Sequence, residues 1–206
     1  MRNNFIYRMF LKPALRFFFY GGLFPAWYRL KFWVLRPFLG YGARAAVLYD
    51  AYFPLIVLRQ GGAKIGRDAV IGRFLTLWAT TDNSFANLEI GDGVILNAHV
   101  FIDLSSRVVL KDRVGIGFNV SIFTHLDLGN SRLAAAYPRE YKEVVVEEDS
   151  LVLPGACLIM GARLGAKSMV LNGTVVSGEV LPDSVVTGNP MRVVPSRRDL
   201  RKGDAG

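Results

Sequence analysis

Two histidines, His99 and His125, are the only imidazoles in the chain of 206 residues. A neutral imidazole, titrating near pH 6.5 in general, suits the task of taking a proton from a hydroxyl. His125 stands in Phe123-Thr124-His125-Leu126-Asp127, just ahead of a segment, 126–145, that leaves the surrounding pattern. A base there could face a substrate; it could equally be a surface histidine on a corner. Asp127 could orient it, or be a solvent-facing turn residue. His99, in Leu96-Asn97-Ala98-His99, reads as a substrate contact or as a solvated wall residue. The single cysteine, Cys157, forbids a disulfide framework and reads as a small core filler. Two histidines and one cysteine fall short of a three-histidine metal set, so no metal is expected.

The elements that must position these residues come from a repeat. From Ile65 the chain recurs with a period of six: an aliphatic residue, often glycine next, two free positions, a small residue and one more. The aliphatic falls at Ile65, Ile71, Ile90, Leu96, Ile102, Leu110, Ile116 and Ile122, then at Val146, Val152, Leu158, Leu164 and Val170. After a slip it returns at Val180 and Val186. The small position holds, among others, Ala69, Ser106, Ser150, Ala156, Ala162, Ser168, Thr174 and Ser184, while Leu75 and Leu126 break the rule. A strand repeats every two residues and a helix every 3.6, so six is neither. It fits one flat side of a three-sided coil, with the aliphatic inside and room for only a small side chain at the corner. Stacked coils bury a continuous core. Segments 78–89 and 126–145 interrupt the pattern, and excursions from a rigid scaffold commonly carry function.

The stretch from Val146 to Val194 resembles the hexapeptide-repeat acetyltransferases, such as the maltose and galactoside O-acetyltransferases and those acting on surface polysaccharides. The closing run Gly188-Asn189-Pro190-Met191-Arg192 is similar to their ending, and Phe123 to Asp127 to their histidine segment. The resemblance extends over roughly residues 65–195. It implies an all-β chain, a left-handed parallel β-helix, acting as an acetyl-CoA-dependent O-acetyltransferase with His125 as general base. It implies a homotrimer with sites between subunits. Residue by residue, Asn97 matches an acceptor contact, and Ser105 stands where a second contact is an aspartate. Asn172, Ser177, Gly178 and Arg192 fall on the coenzyme A side. The alternatives are an N-acetyltransferase of an amino sugar or small amine, and a non-catalytic β-helix assembly protein.

Residues 1–50 form a separate part. From Met1 to Tyr49 stand Arg2, Arg8, Lys12, Arg16, Arg29, Lys31, Arg36 and Arg44 and no acid, which accounts for the whole net charge of +8. The rest is near neutral, so no nucleic-acid partner is expected. Phe17, Phe18, Phe19, Tyr20, Phe24, Trp27, Tyr28, Phe32, Trp33 and Phe38 accompany the cations, and Pro13 and Gly21-Gly22 divide the stretch into two short amphipathic helices. Aromatics opposite cations suit an anionic membrane surface; a cap over the first coil is the competing reading. The expected organisation is a leader (1–50), a β-helix domain (51–195) with its excursion (126–145), and a polar tail (196–206). The expected place is the cytoplasmic face of the inner or plasma membrane, and the expected acceptor a sugar of a membrane-linked glycan.

Overall fold

A computed structural model describes residues 54–78 and 84–195. The leader 1–50 and the tail 196–206 lie outside the described residues. A helix, α1 (Pro54–Gln60), precedes the strands. The strands then fall in turn onto three faces. Face one stacks β1 (Lys64–Ile65), β4 (Leu88–Ile90), β7 (Val108–Leu110), β12 (Val144–Val146), β15 (Arg163–Leu164) and β18 (Glu179–Val180). Face two stacks β2 (Val70–Ile71), β5 (Ile95–Leu96), β8 (Gly115–Ile116), β13 (Leu151–Val152), β16 (Met169–Val170), β19 (Val185–Thr187) and β20 (Arg192–Val194). Face three stacks β3 (Thr76–Trp78), β6 (Phe101–Asp103), β9 (Ser121–Ile122), β14 (Cys157–Leu158) and β17 (Val175–Val176). Every pairing within these faces is parallel except β19 with β20.

The register explains the period. Ile71 lies beside Leu96, Leu96 beside Ile116, and Ile116 beside Val152, so the repeating aliphatics form one buried column per face. Ala156, Ala162, Ser150, Ser168 and Thr174 are buried at the corners, as the small position requires. The glycine after the aliphatic has its own reason. A Cβ on Gly66 would stand 2.5 Å from the backbone carbon of Gly91 in the next coil, and one on Gly72 2.5 Å from that of Asn97. The corner residue three places after the aliphatic has positive φ at most corners, in eight non-glycine residues (Asp68, Phe74, His99, Arg113, Asn119, Asp149, Lys167 and Asp183) and in Gly93, Gly155, Gly161 and Gly173; Ser105 and His125 are exceptions. One of the two positions read as free is therefore constrained in backbone, though not in side-chain type.

Ser106 and Ser184 do not occupy the buried small position; both are only partly buried. After Ile102 the corner is two residues longer than the hexad, and Val108 takes the inner place. A 3₁₀ turn, Ser84–Asn87, brings the chain back from the first interruption, and its Asn87 Nδ2 donates to Leu104 O at 2.8 Å. The second interruption is an ordered hairpin. Its base is the antiparallel pair β10 (His125–Leu126) and β11 (Glu140–Tyr141), and the chain rejoins face one at Val144. The motif Gly188-Asn189-Pro190-Met191 is a second reversal. It turns β20 back onto β19, with Thr187 opposite Arg192, and so ends the stack on face two. Among the described residues no helix is long and apolar enough to cross a membrane.

Candidate active site

His125 follows β9 at the corner where face three turns into face one. Asp103 ends β6, on the neighbouring rung of face three. The two meet: His125 Nδ1 lies 2.5 Å from Asp103 Oδ2. Asp103 is 1% exposed and the imidazole 18%, so the carboxylate is sealed while the ring keeps one edge open.

A buried carboxylate must have its oxygens satisfied, and here the backbone of the same corner does so. Asp103 Oδ1 accepts from Ser105 N at 2.9 Å; Oδ2 accepts from Thr124 N at 2.8 Å. The Thr124 hydroxyl donates to Oδ2 at 2.9 Å, or alternatively to Asp103 O at 3.1 Å, and itself accepts from Ser106 N at 2.9 Å. Burial alone would raise the Asp103 pKa. Ser105, His125 and the backbone N–H groups of Ser105 and Thr124 outweigh it and hold the carboxyl below its usual range. The Ser105 Oγ is itself buried and, among the described residues, falls outside strict hydrogen-bonding geometry. An ionised carboxylate only accepts, so the imidazole proton sits on Nδ1 and the Nε2 lone pair faces outward.

Asp127 does not orient His125. Its Oδ2 lies 3.0 Å from an Arg139 guanidinium nitrogen and its Oδ1 accepts from Gly129 N at 2.8 Å, so it closes the excursion hairpin. These groups, Gly129 first and Arg139 after burial is overcome, keep its pKa low. The partner that sequence reasoning missed is Asp103. Its neighbour Ser105 is the position that the resemblance matches to an acceptor contact. The available signal was an acid directly after a core aliphatic, a position that holds glycine or an apolar residue in most rungs but also Asn97, Lys111 and Glu147, so the signal is weak. Tyr141 was also missed. Paired directly across from His125, its ring stacks on the imidazole with centroids 5.8 Å apart and planes 15° apart.

Ser105 shares the His125 corner. Ser177 and Gly178 lie on it too, two rungs further along, roughly 10 Å away at the usual strand spacing. A Cβ on Gly178 would meet nothing within 4 Å, so that end of the corner is open. Asn97, His99, Asn172 and Arg192 are elsewhere. Asn97 is on face two, where its Nδ2 donates to Ile116 O at 3.0 Å. His99 and Asn172 are exposed at the corner between faces two and three, and Arg192 is exposed on β20. His99 stacks on Phe74, centroids 4.7 Å apart; its positive φ of 61° belongs to the corner position it shares with the rest of the repeat. Within one chain these residues are not brought to His125. Among the described residues no group of three or more His, Cys, Asp or Glu side chains could hold a metal.

No protein-family model matches the chain. The serine acetyltransferase of Bacillus subtilis is 30% identical over 125 residues, which cover 58% of this chain and 56% of that relative. The chain thus spans about half the length of the curated relatives it matches. Among solved structures, a hexapeptide-repeat acetyltransferase of Vibrio cholerae complexed with acetyl coenzyme A superposes with a TM-score of 0.64 at 22% identity, over 75% of this chain and 84% of the other. A maltose O-acetyltransferase of Clostridium difficile superposes with a TM-score of 0.59 at 21% identity, over 75% and 80%. These likenesses show the fold: it is the β-helix of hexapeptide-repeat acetyltransferases, as the resemblance implied.

Proposed function

We propose that this chain is an acetyl-CoA-dependent acetyltransferase acting on a hydroxyl, with His125 as general base and Asp103 as the group that orients it. One observation carries the reading: the 2.5 Å contact of His125 Nδ1 with a buried carboxylate, which leaves Nε2 as the basic nitrogen at an open corner. The similarity to serine acetyltransferases and the shared fold with an acetyltransferase complexed with acetyl coenzyme A support it.

His125 Nε2 takes the hydroxyl proton as the acceptor oxygen bonds to the thioester carbonyl carbon. Asp103 stabilises the imidazolium so formed, in a site where the carboxylate is dry. When the carbon–sulfur bond breaks, the imidazolium returns the proton to the departing thiolate, giving free coenzyme A and an acetyl ester. The open corner toward Ser177 and Gly178 is the path for the donor arm.

Asn97, His99, Asn172 and Arg192 are part of this reading only if a neighbouring copy supplies them, since one chain holds them on other edges. The proposed assembly is therefore a homotrimer with sites between subunits. The proposed acceptor is a sugar hydroxyl of a membrane-linked glycan at the cytoplasmic membrane face. The basic aromatic composition of residues 1–50 and the fold shared with a maltose O-acetyltransferase support it.

The test is thiol release from acetyl-CoA by the full chain against lipid-linked glycans, soluble sugars, amino sugars and free serine. A lipid-linked sugar should turn over fastest; preference for free serine or an amine would overturn the acceptor assignment. His125→Ala should lower turnover by roughly 10²–10⁴ with the fold intact. Wild-type turnover in that variant would remove His125 as the base.

A further inference from the structure

The excursion after His125 does more than leave the coil: it returns an aromatic ring to it. In an antiparallel pair, directly opposite residues send their side chains to the same side of the ladder with Cβ atoms about 5 Å apart. His125 and Tyr141 are such a pair, and Leu126 opposes Glu140. The pairing is continued by Lys142 N, which donates to Thr124 O at 2.9 Å. Thr124 is the residue whose own N–H and hydroxyl bind Asp103. One short ladder thus ties the carboxylate, the imidazole and the phenol ring into a fixed order. The ion pair of Arg139 with Asp127 closes the same hairpin two residues beyond each member of the pair.

Asp103 fixes one point of the imidazole, the Nδ1 atom. A single contact leaves the ring free to rotate about that point, and with it the direction of Nε2. The Tyr141 ring, 15° from parallel to the imidazole, removes that freedom and screens one face of the ring from water. We propose that Tyr141 is a positioning residue for His125: its ring, rather than its hydroxyl, sets the imidazole plane so that Nε2 addresses the acceptor. The proposal rests on His125 being the base. Side-chain parity makes it sharp, because a one-residue slip of β11 would carry Tyr141 to the other side of the ladder.

The chain has two histidines, so labelled imidazole nitrogens give two sets of resonances. Loss of one set in His125→Asn assigns them. In the full-length protein at alkaline pH, His125 should appear as the single tautomer with its proton on Nδ1. Tyr141→Leu should keep that tautomer, which the Asp103 carboxylate sets, but broaden the His125 ring resonances as the ring plane averages. It should lower kcat roughly 10-fold, the scale of a small misplacement of a catalytic group, and leave KM for acetyl-CoA unchanged. Tyr141 is well exposed, so leucine is tolerated there, and an unchanged thermal midpoint would verify it. Tyr141→Phe should restore both the sharp ring resonances and kcat. Ring resonances as sharp as wild type together with wild-type kcat in Tyr141→Leu would overturn the proposal, as would a phenylalanine variant as impaired as the leucine one. If His125→Ala keeps full activity, the base assignment fails; the ring linewidths in Tyr141→Leu still decide, on their own, whether Tyr141 holds the ring.

Discussion

Asp103 carries more of the site's chemistry than any feature of its sequence suggests. Its two oxygens accept from two backbone N–H groups, one hydroxyl and one imidazole. An asparagine there would offer an amide N–H₂ toward Nδ1 and favour the tautomer with its proton on Nε2. Asp103→Asn should therefore cost turnover roughly 10²–10⁴, comparable to loss of the base itself. The same residue sets an acid limit on stability. Its folded-state pKa lies below the ordinary value of 3.8. Between the two values the unfolded chain holds a proton that the folded chain does not. The stabilisation is complete above about pH 4 and disappears as pH falls through the folded value. Urea midpoints followed from about pH 6 to about pH 3 should drop more steeply for the wild type than for Asp103→Asn. Equal slopes would mean that the exposed acids, not Asp103, govern the acid limb. His125 was legible in the sequence because one imidazole ahead of a break in a repeat is conspicuous. Its partner was not, because Asp103 is close in space through the stacking of rungs and 22 positions away in the chain.

At the scale of the element, the hexad is a packing rule with two tight places. The aliphatic needs an inner column, and the residue after it needs to clear the next coil. Gly66→Ala would place a methyl 2.5 Å from Gly91 carbon and 2.6 Å from Asp92 backbone nitrogen, neither of which can swing aside. The rung must shift, at a cost of about 1–3 kcal/mol; a thermal or denaturant midpoint equal to wild type would show the coil to be softer than it reads. Ala162→Leu, at a fully buried corner, should cost a similar amount by overpacking. The period revealed these positions because identical demands recur at each rung. It did not reveal the positive φ of the corners. That demand is met by Asp, Phe, His, Arg, Asn and Lys as well as by glycine, so composition leaves no trace of it. Nor did it reveal that the excursion is a paired hairpin: β10 and β11 are two residues each, too short for alternation to register.

For the whole molecule, the stack must end somewhere. Face two ends in β20, antiparallel to β19. A parallel stack without such a terminator presents an open strand edge that other chains can join. Truncation after Thr187 should therefore give a protein that self-associates end to end or precipitates, measured by light scattering; a well-behaved truncated species would show that the reversal serves another purpose.

Each coil touches only the coils on either side of it, so the chain behaves as a one-dimensional array whose ends can open independently of its middle. The strand that precedes His125, β9, is the third of the five on face three. Native-state hydrogen exchange should accordingly form a gradient, fastest at the first and last rungs and slowest near the centre. The two halves of the dyad sit on adjacent rungs, joined by the amide of Thr124 and the carboxylate of Asp103. The opening event that releases this amide to solvent is therefore the same event that separates acid from imidazole. Fraying at either end leaves the pair assembled, and only a breach between these two rungs parts it, so the exchange rate of that single amide would report how often Asp103 and His125 are momentarily apart.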